Sequence, residues 1–300
     1  MPYLPVHGVE HYYEWITKSS PSIVSASLTA NPSTANPKLS HSPQKPVMVF
    51  LHGWGGSARY WHKVAQQLTG QFDCLLYDLR GFGRSRLPNP IPAGQDYRLE
   101  AYAQDLLSLL DQMNLDRVHM NSHSMGASIA ALFTNRYPHR IERLILTCNG
   151  LLEYEQQAFE AFHRFSYAVV KFRPRWFLQV PLLDRLFMAR FLHGSIPERD
   201  RREFLEDFIL ADFDAALGTA LTAVSKESAD AMPQEYRQLP VSTLLISGEY
   251  DQIISADMGK QAAALNPKVQ HKVVANTGHF PMLEDSTTYM QYLQDFLQDT

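Results

Sequence analysis

Val118-His119-Met120-Asn121-Ser122-His123-Ser124-Met125-Gly126 is the stretch on which the fold turns. Residues 118–124 read as a short strand, and residues 125–136 read as a helix that starts directly after it. A serine at such a junction can project its hydroxyl above a sheet. The turn must be sharp, and small residues two positions away on either side let the chains pass closely. Gly126 meets that need, while Ser122 stands where the usual GxSxG pattern has its first glycine. An ordinary N-cap also favours serine, so the pentapeptide alone does not separate a nucleophile from a cap.

Working outward, residues 46–53 (PVMVFLHG) read as a strand followed by a helix over 59–68, and residues 72–78 as a strand followed by a helix around 97–113. Residues 141–148 supply the next strand. Apolar, β-rich runs alternating with helices imply an α/β fold with a buried parallel sheet covered on both faces. The rhythm breaks after Asn149. Residues 150–239 are predominantly helical in pattern and rich in Phe, Tyr, Trp, Leu and Arg, and are assigned as an inserted helical cap. The core pattern resumes with a strand over 241–251, a helix over about 256–265, a strand over 269–276 and a final helix over about 282–297. The core therefore comprises residues 1–149 and 240–300. Within it, residues 19–46 are crowded with Ser, Pro, Asn and Thr and are expected to form a long, flexible hairpin loop.

A chain of 300 residues with 45% hydrophobic and 19% charged residues suits one globular enzyme domain plus an insertion. The net charge of -4, without basic runs, argues against nucleic-acid partners. Residues 1–15 lack the apolar stretch of a secretory signal, and no eighteen apolar residues run uninterrupted, so a soluble, cytoplasmic protein is expected. The two cysteines, Cys74 and Cys148, sit in strand-like runs without metal-ligand spacing and are read as packed thiols. No metal and no organic cofactor are expected. Oligomeric state is left open.

The second chemical element is His52-Gly53-Trp54-Gly55-Gly56, immediately after the strand that starts at Pro46. Acyl transfer builds negative charge on a carbonyl oxygen and calls for two fixed backbone N–H donors, which are assigned to Trp54 and Met125. The bland alternative is a glycine-rich turn. Asp251, after one strand, and His279, after the last, complete the order Ser, Asp, His. A serine hydroxyl needs an imidazole to take its proton, and the imidazole needs a carboxylate to fix its tautomer. Ser124, Asp251 and His279 are thus the candidate catalytic residues. His52 and His123 are the rival histidines among twelve, and Asp257 and Glu153 the rival acids; position 149 is Asn.

Four motifs in this order resemble the α/β-hydrolase fold superfamily, in its capped esterase, lipase and carbon–carbon hydrolase branch. The match covers roughly residues 46–148 and 241–297, and residues 78–85 (DLRGFGRS) are similar to the family's DxRGxGxS turn, taken as structural. The resemblance implies an eight-stranded, mostly parallel sheet with first strands around residues 12–17 and a helical cap inserted after strand six. Haloalkane dehalogenases and epoxide hydrolases of this fold use an aspartate at the elbow, so Ser124 implies an acyl-enzyme instead.

The inserted segment places Phe162, Phe165, Trp176 and Phe187 among many apolar residues. With His123 and Phe280 from the core, they are the expected lining of a pocket for a bulky or long apolar group. Amphipathic helices also bury such side chains against each other. Lys171, Arg173 and Arg175, interleaved with aromatics and prolines, mark a candidate for transient membrane-surface contact. The expected function is a serine hydrolase acting on an apolar carboxylic ester, long prenyl or phytyl esters included. The alternatives are a carbon–carbon hydrolase of diketone-type substrates and, in another class, a non-catalytic ligand receptor.

Overall fold

The computed structural model of the protein describes residues 3–18, 42–91 and 94–298. Among the described residues there are eight strands: β1 (Tyr3–Val6), β2 (Val9–Ile16), β3 (Val47–Leu51), β4 (Asp73–Tyr77), β5 (Val118–His123), β6 (Ile141–Thr147), β7 (Thr243–Gly248) and β8 (Val269–Val274). They form one sheet in the order β1-β2-β4-β3-β5-β6-β7-β8. The β1–β2 and β2–β4 pairings are antiparallel and the remaining five are parallel. The hairpin β1 precedes the first strand that the sequence suggested. The long loop expected over 19–46 falls mainly on residues 19–41, which lie outside the described residues, but it is not a hairpin loop, because β4 lies between the strands on either side of it, β2 and β3.

Every residue of β3, β4 and β7 is buried, as a sheet covered on both faces requires. The strand period of two sorts them. Val49 and Leu51 join one apolar layer with Leu106, Ala127 and Phe133, from α2 (Leu99–Gln112) and α3 (Met125–Arg136). Met48 and Phe50 join the other, with Val64, Leu68, Leu293 and Phe296. Those belong to α1 (His62–Leu68) and to the last helix of the chain.

Between β6 and β7 lie α4 (Gln156–Lys171), α5 (Leu183–Met188), α6 (Glu198–Leu210), α7 (Phe213–Ala223) and α8 (Lys226–Gln238). After β7 come α9 (Ala256–Ala263), α10 (Pro281–Glu284) and α11 (Ser286–Gln298). The single final helix expected from sequence is thus two. The break falls at Asp285, whose backbone leaves the helical region and whose carboxylate accepts from Thr288 N at 3.1 Å. Among the described residues no helix is long and apolar enough to cross a membrane.

The turn after β4 supports the loops above the sheet. Asp78 accepts from Ala58 N at 2.8 Å and from Arg84 N and Nε at 2.8 and 2.7 Å. Burial alone would raise its carboxyl, but Arg84, together with His52 and the Ala58 N–H, outweighs burial and holds the group at about 2. Gly83, at φ 54, sits so close that a Cβ would stand 2.4 Å from Asp78 Oδ2.

Candidate active site

Ser124 joins β5 to α3 at φ 52 and ψ -121, a conformation that a non-glycine residue holds only when its surroundings enforce it. Here Ser124 N donates to Thr147 O at 2.8 Å. Gly126 is tucked beneath β3, where a Cβ would stand 2.4 Å from His52 O. Ser122, in the usual glycine position, is buried and satisfied by donating to Ile145 O at 2.8 Å. Ser124 makes no side-chain cap bond to α3, so its hydroxyl is not an N-cap. Instead its Oγ lies 3.0 Å from His279 Nε2.

His279 Nδ1 lies 2.7 Å from Asp251 Oδ2, and both side chains are buried. The other carboxylate oxygen accepts from Ile253 N at 2.7 Å and Ile254 N at 3.1 Å. A carboxylate only accepts, so Nδ1 carries the imidazole proton and Nε2 is free to accept from the Ser124 hydroxyl. The three residues leave the carboxyl ends of β5, β7 and β8, where ligands of open α/β sheets bind. Asp257 and Glu153 are exposed. The backbone of His279 is held twice: its N donates to Phe191 O at 2.6 Å, and its O accepts from His123 Nε2 at 2.8 Å.

His52 does different work. Its Nε2 accepts from Leu79 N at 2.9 Å, so Nδ1 bears the proton and donates to Gly53 O at 2.8 Å. Gly53 O also accepts from Gly56 N at 3.3 Å. Because a trans peptide points its N–H opposite its C=O, anchoring Gly53 O aims Trp54 N–H away from His52. Among the described residues, neither Trp54 N nor Met125 N donates to a protein acceptor. Met125 opens α3, where amides have no intrahelical partner. The Trp54 indole donates to Ala216 O at 2.8 Å and its ring packs on Phe208, which ties this loop to α7 and α6.

The expected pocket lining divides. Phe187 packs on Phe191, Phe204 and Phe208, and Phe191 in turn packs on His279. His123 and Phe280 are fully buried and pack against each other and against the His279 ring. Phe162, Phe165 and Trp176 instead face outward, at 38%, 60% and 56% exposure. Helix α4 buries the stripe Phe159, Ser166 and Val170, and Phe162 and Phe165 fall to one side of that stripe. Trp176 sits on a single 3-10 turn, Arg175–Gln179, that buries none of its residues.

Two neighbours of the site were not singled out from sequence. Asn149 Nδ2 donates to Ser124 O and Ser128 Oγ at 3.2 and 2.8 Å, and its Oδ1 accepts from Tyr236 Oη. Tyr60 Oη lies 3.0 Å from His123 Nδ1. His123, Cys148 and His279 bring possible metal-ligating atoms within 4.8 Å of one another. The ring nitrogens of both histidines are already engaged by Tyr60, Asp251, Ser124 and the His279 carbonyl. Burial pushes the Cys148 thiol well above its ordinary pKa, and the Asp251 charge adds to the shift.

Comparison with known proteins bears on the family and the fold. A family model described as the alpha/beta hydrolase fold matches residues 46–286. The chain is 24% identical over 254 residues to 2-hydroxy-6-oxo-2,4-heptadienoate hydrolase of Pseudomonas putida, covering 83% of this chain and 88% of that protein. It is 24% identical over 258 residues to lipase 1 of Psychrobacter immobilis, covering 79% and 72%. The crystal structure of the enol-lactonase from Burkholderia xenovorans superimposes with a TM-score of 0.75 at 18% identity, covering 99% and 100% of the two chains. With most of its length inside the family model and the same eight-stranded fold, the chain belongs to the alpha/beta hydrolase fold family.

Proposed function

We propose that the protein is a serine hydrolase that cleaves a carboxylic ester bearing a bulky or long apolar group. The observation that carries this reading is the unbroken line from Asp251 through His279 to a Ser124 hydroxyl held on a positive-φ elbow. Ser124 gives its proton to His279 Nε2 as its oxygen attacks the ester carbonyl. The negative charge that builds on the substrate's carbonyl oxygen is taken by Trp54 N–H and Met125 N–H. His279 then returns the proton to the leaving alcohol, and water hydrolyses the acyl-Ser124 ester by the same relay. Asp251 holds the productive tautomer and stabilises the imidazolium.

Helices α4–α8 act in this reading as the cap. Phe208, Leu205 and Ile209 form an apolar cluster with Phe177, Leu183, Phe187 and Trp54 beside the oxyanion loop, which suits an apolar acyl or alcohol group. Purified protein is expected to hydrolyse p-nitrophenyl octanoate at least about tenfold more efficiently than the acetate. The likeness to a heptadienoate hydrolase makes a dienoate carbon–carbon substrate the necessary second member of the panel. Cleavage of that substrate alone would replace the ester reading.

The outward face of the cap also fits a lipid surface. Phe165, Phe172, Trp176, Leu182 and Leu186 are 56% to 74% exposed, and Lys171, Arg175 and Arg185 are exposed among them. Sedimentation with anionic phosphatidylglycerol vesicles, lost in a Phe172→Ser/Trp176→Ser/Leu186→Ser variant, is the expected result.

A further inference from the structure

We propose that Tyr60 and His123 are positioning residues, forming one hydrogen-bonded bridge that sets the oxyanion loop and the backbone of His279 at a fixed separation. The inference rests on the reading of Ser124 as nucleophile.

The direction of every bond in the bridge follows from chemistry. Gly53 N–H can only donate, so Tyr60 Oη accepts there. At the other end the His279 carbonyl can only accept, so His123 Nε2 carries a proton. A neutral imidazole has one ring proton, which leaves Nδ1 as an acceptor for the Tyr60 O–H, 3.0 Å away. Burial, reinforced by the neighbouring His279, drives the His123 pKa well below its ordinary value, so this neutral tautomer persists. The line Gly53 N–H, Tyr60, His123, His279 C=O is therefore fully satisfied in one direction.

Packing makes the bridge short and stiff. A Cβ on Gly53 would stand 2.9 Å from His123 Nδ1, so the loop rests directly on the ring. The His123 ring lies 4.8 Å from those of His279 and Phe280 and meets Tyr60 edge-on. Neither Tyr60 nor His123 hydrogen-bonds to Ser124 Oγ, the proton that His279 accepts, or the Asp251 carboxylate. What the bridge joins is Gly53, one residue before the Trp54 amide, to the residue whose Nε2 moves the proton. One group holds the carbonyl oxygen and the other moves the proton of the attacking serine at the same reacting centre, so an error in their spacing is felt in the transition state more than in substrate binding.

The test is steady-state kinetics on p-nitrophenyl butyrate with Tyr60→Phe, His123→Phe, His123→Gln and the double Tyr60→Phe/His123→Phe variant, beside Ser124→Ala. Tyr60→Phe keeps the ring and is expected to lower kcat about tenfold with KM within about twofold, the effect of one lost polar contact. His123→Phe is expected to lose at least as much, and the double variant no more than about twofold beyond it, because the bridge is already broken. Glutamine retains an N–H toward the His279 carbonyl and is expected to recover at least about threefold over phenylalanine. Should His123→Phe not fold, Tyr60→Phe and His123→Gln decide. A Tyr60→Phe kcat within twofold of wild type, a loss carried by KM, or additive single losses would each overturn the bridge while an inactive Ser124→Ala left the nucleophile standing. Wild-type activity in Ser124→Ala would overturn both.

Discussion

Gly126 lies beneath the backbone of His52 so closely that a Cβ would stand 2.4 Å from the His52 carbonyl oxygen. This contact seats the start of α3 against the end of β3 and the His52 end of the loop that carries Trp54. Gly126→Ala is expected to lower stability by about 1–3 kcal/mol, the range of overpacked sites, and to lower kcat with it. Gly70, around which a Cβ meets nothing within 4 Å, is the control: Gly70→Ala is expected to be near neutral. Urea unfolding of both variants measures the contrast.

Asp251→Asn separates tautomer control from architecture. The asparagine oxygen can still accept from Ile253 N and Ile254 N, so the fold is expected to hold. Its amide N–H would face His279 Nδ1, moving the imidazole proton to Nε2, where it can no longer accept from Ser124. A kcat loss of about 10³–10⁴ with an unchanged melting temperature is expected.

How far the chain disclosed this arrangement varies with the kind of signal. The buried strands β3 and β7 were readable because they are short, mainly apolar runs that end in glycine turns, and α3 occupies residues 125–136 as the spacing suggested. The elbow, the glycine loop and the Asp251 and His279 positions were readable because each follows a strand in chain order. Side-chain facing was not. Phe165 and Phe187 have the same composition signal, yet one is 60% exposed and the other packs on Phe204, because only the helix phase and its neighbours decide. Tyr60 meets His123 across 63 residues, a contact that no local period encodes.

Acid is expected to destabilise the protein from pH 6.5 downward. Burial lowers His11 to about 3 and also depresses His52 and His123, so all three stay neutral in the folded state while the unfolded chain protonates them. Stability is therefore full above pH 6.5 and is lost as pH falls toward the folded values, at about 1.4 kcal/mol per pH unit for each histidine. Asp207, pushed up to about 6 by burial against the pull of Arg59, opposes one of the three below pH 6. The melting temperature should fall as pH drops from 6.5 to 5; a flat profile over that range contradicts this assignment.

The inserted helices are anchored to the core by a buried ion pair. Arg59 donates to Asp207 and Glu206 on α6 at 2.7 and 2.8 Å, and Ser57 donates to the second Asp207 oxygen at 2.7 Å. Removing one partner leaves a buried charge, so Arg59→Met is expected to lose about 3–5 kcal/mol. Arg59→Met combined with Asp207→Leu is expected to regain most of it. Chemical denaturation of the two variants reads the difference.

The proposal that Ser124 is the nucleophile is tested by intact-protein mass spectrometry after reaction with a fluorophosphonate. One adduct per chain, mapped by peptide sequencing to Ser124 and absent in Ser124→Ala, is expected, together with a loss of at least about 10³-fold in ester turnover in that variant. An unlabelled wild-type protein, a label on another residue, or undiminished turnover in Ser124→Ala would contradict the assignment of Ser124, Asp251 and His279 as the catalytic triad.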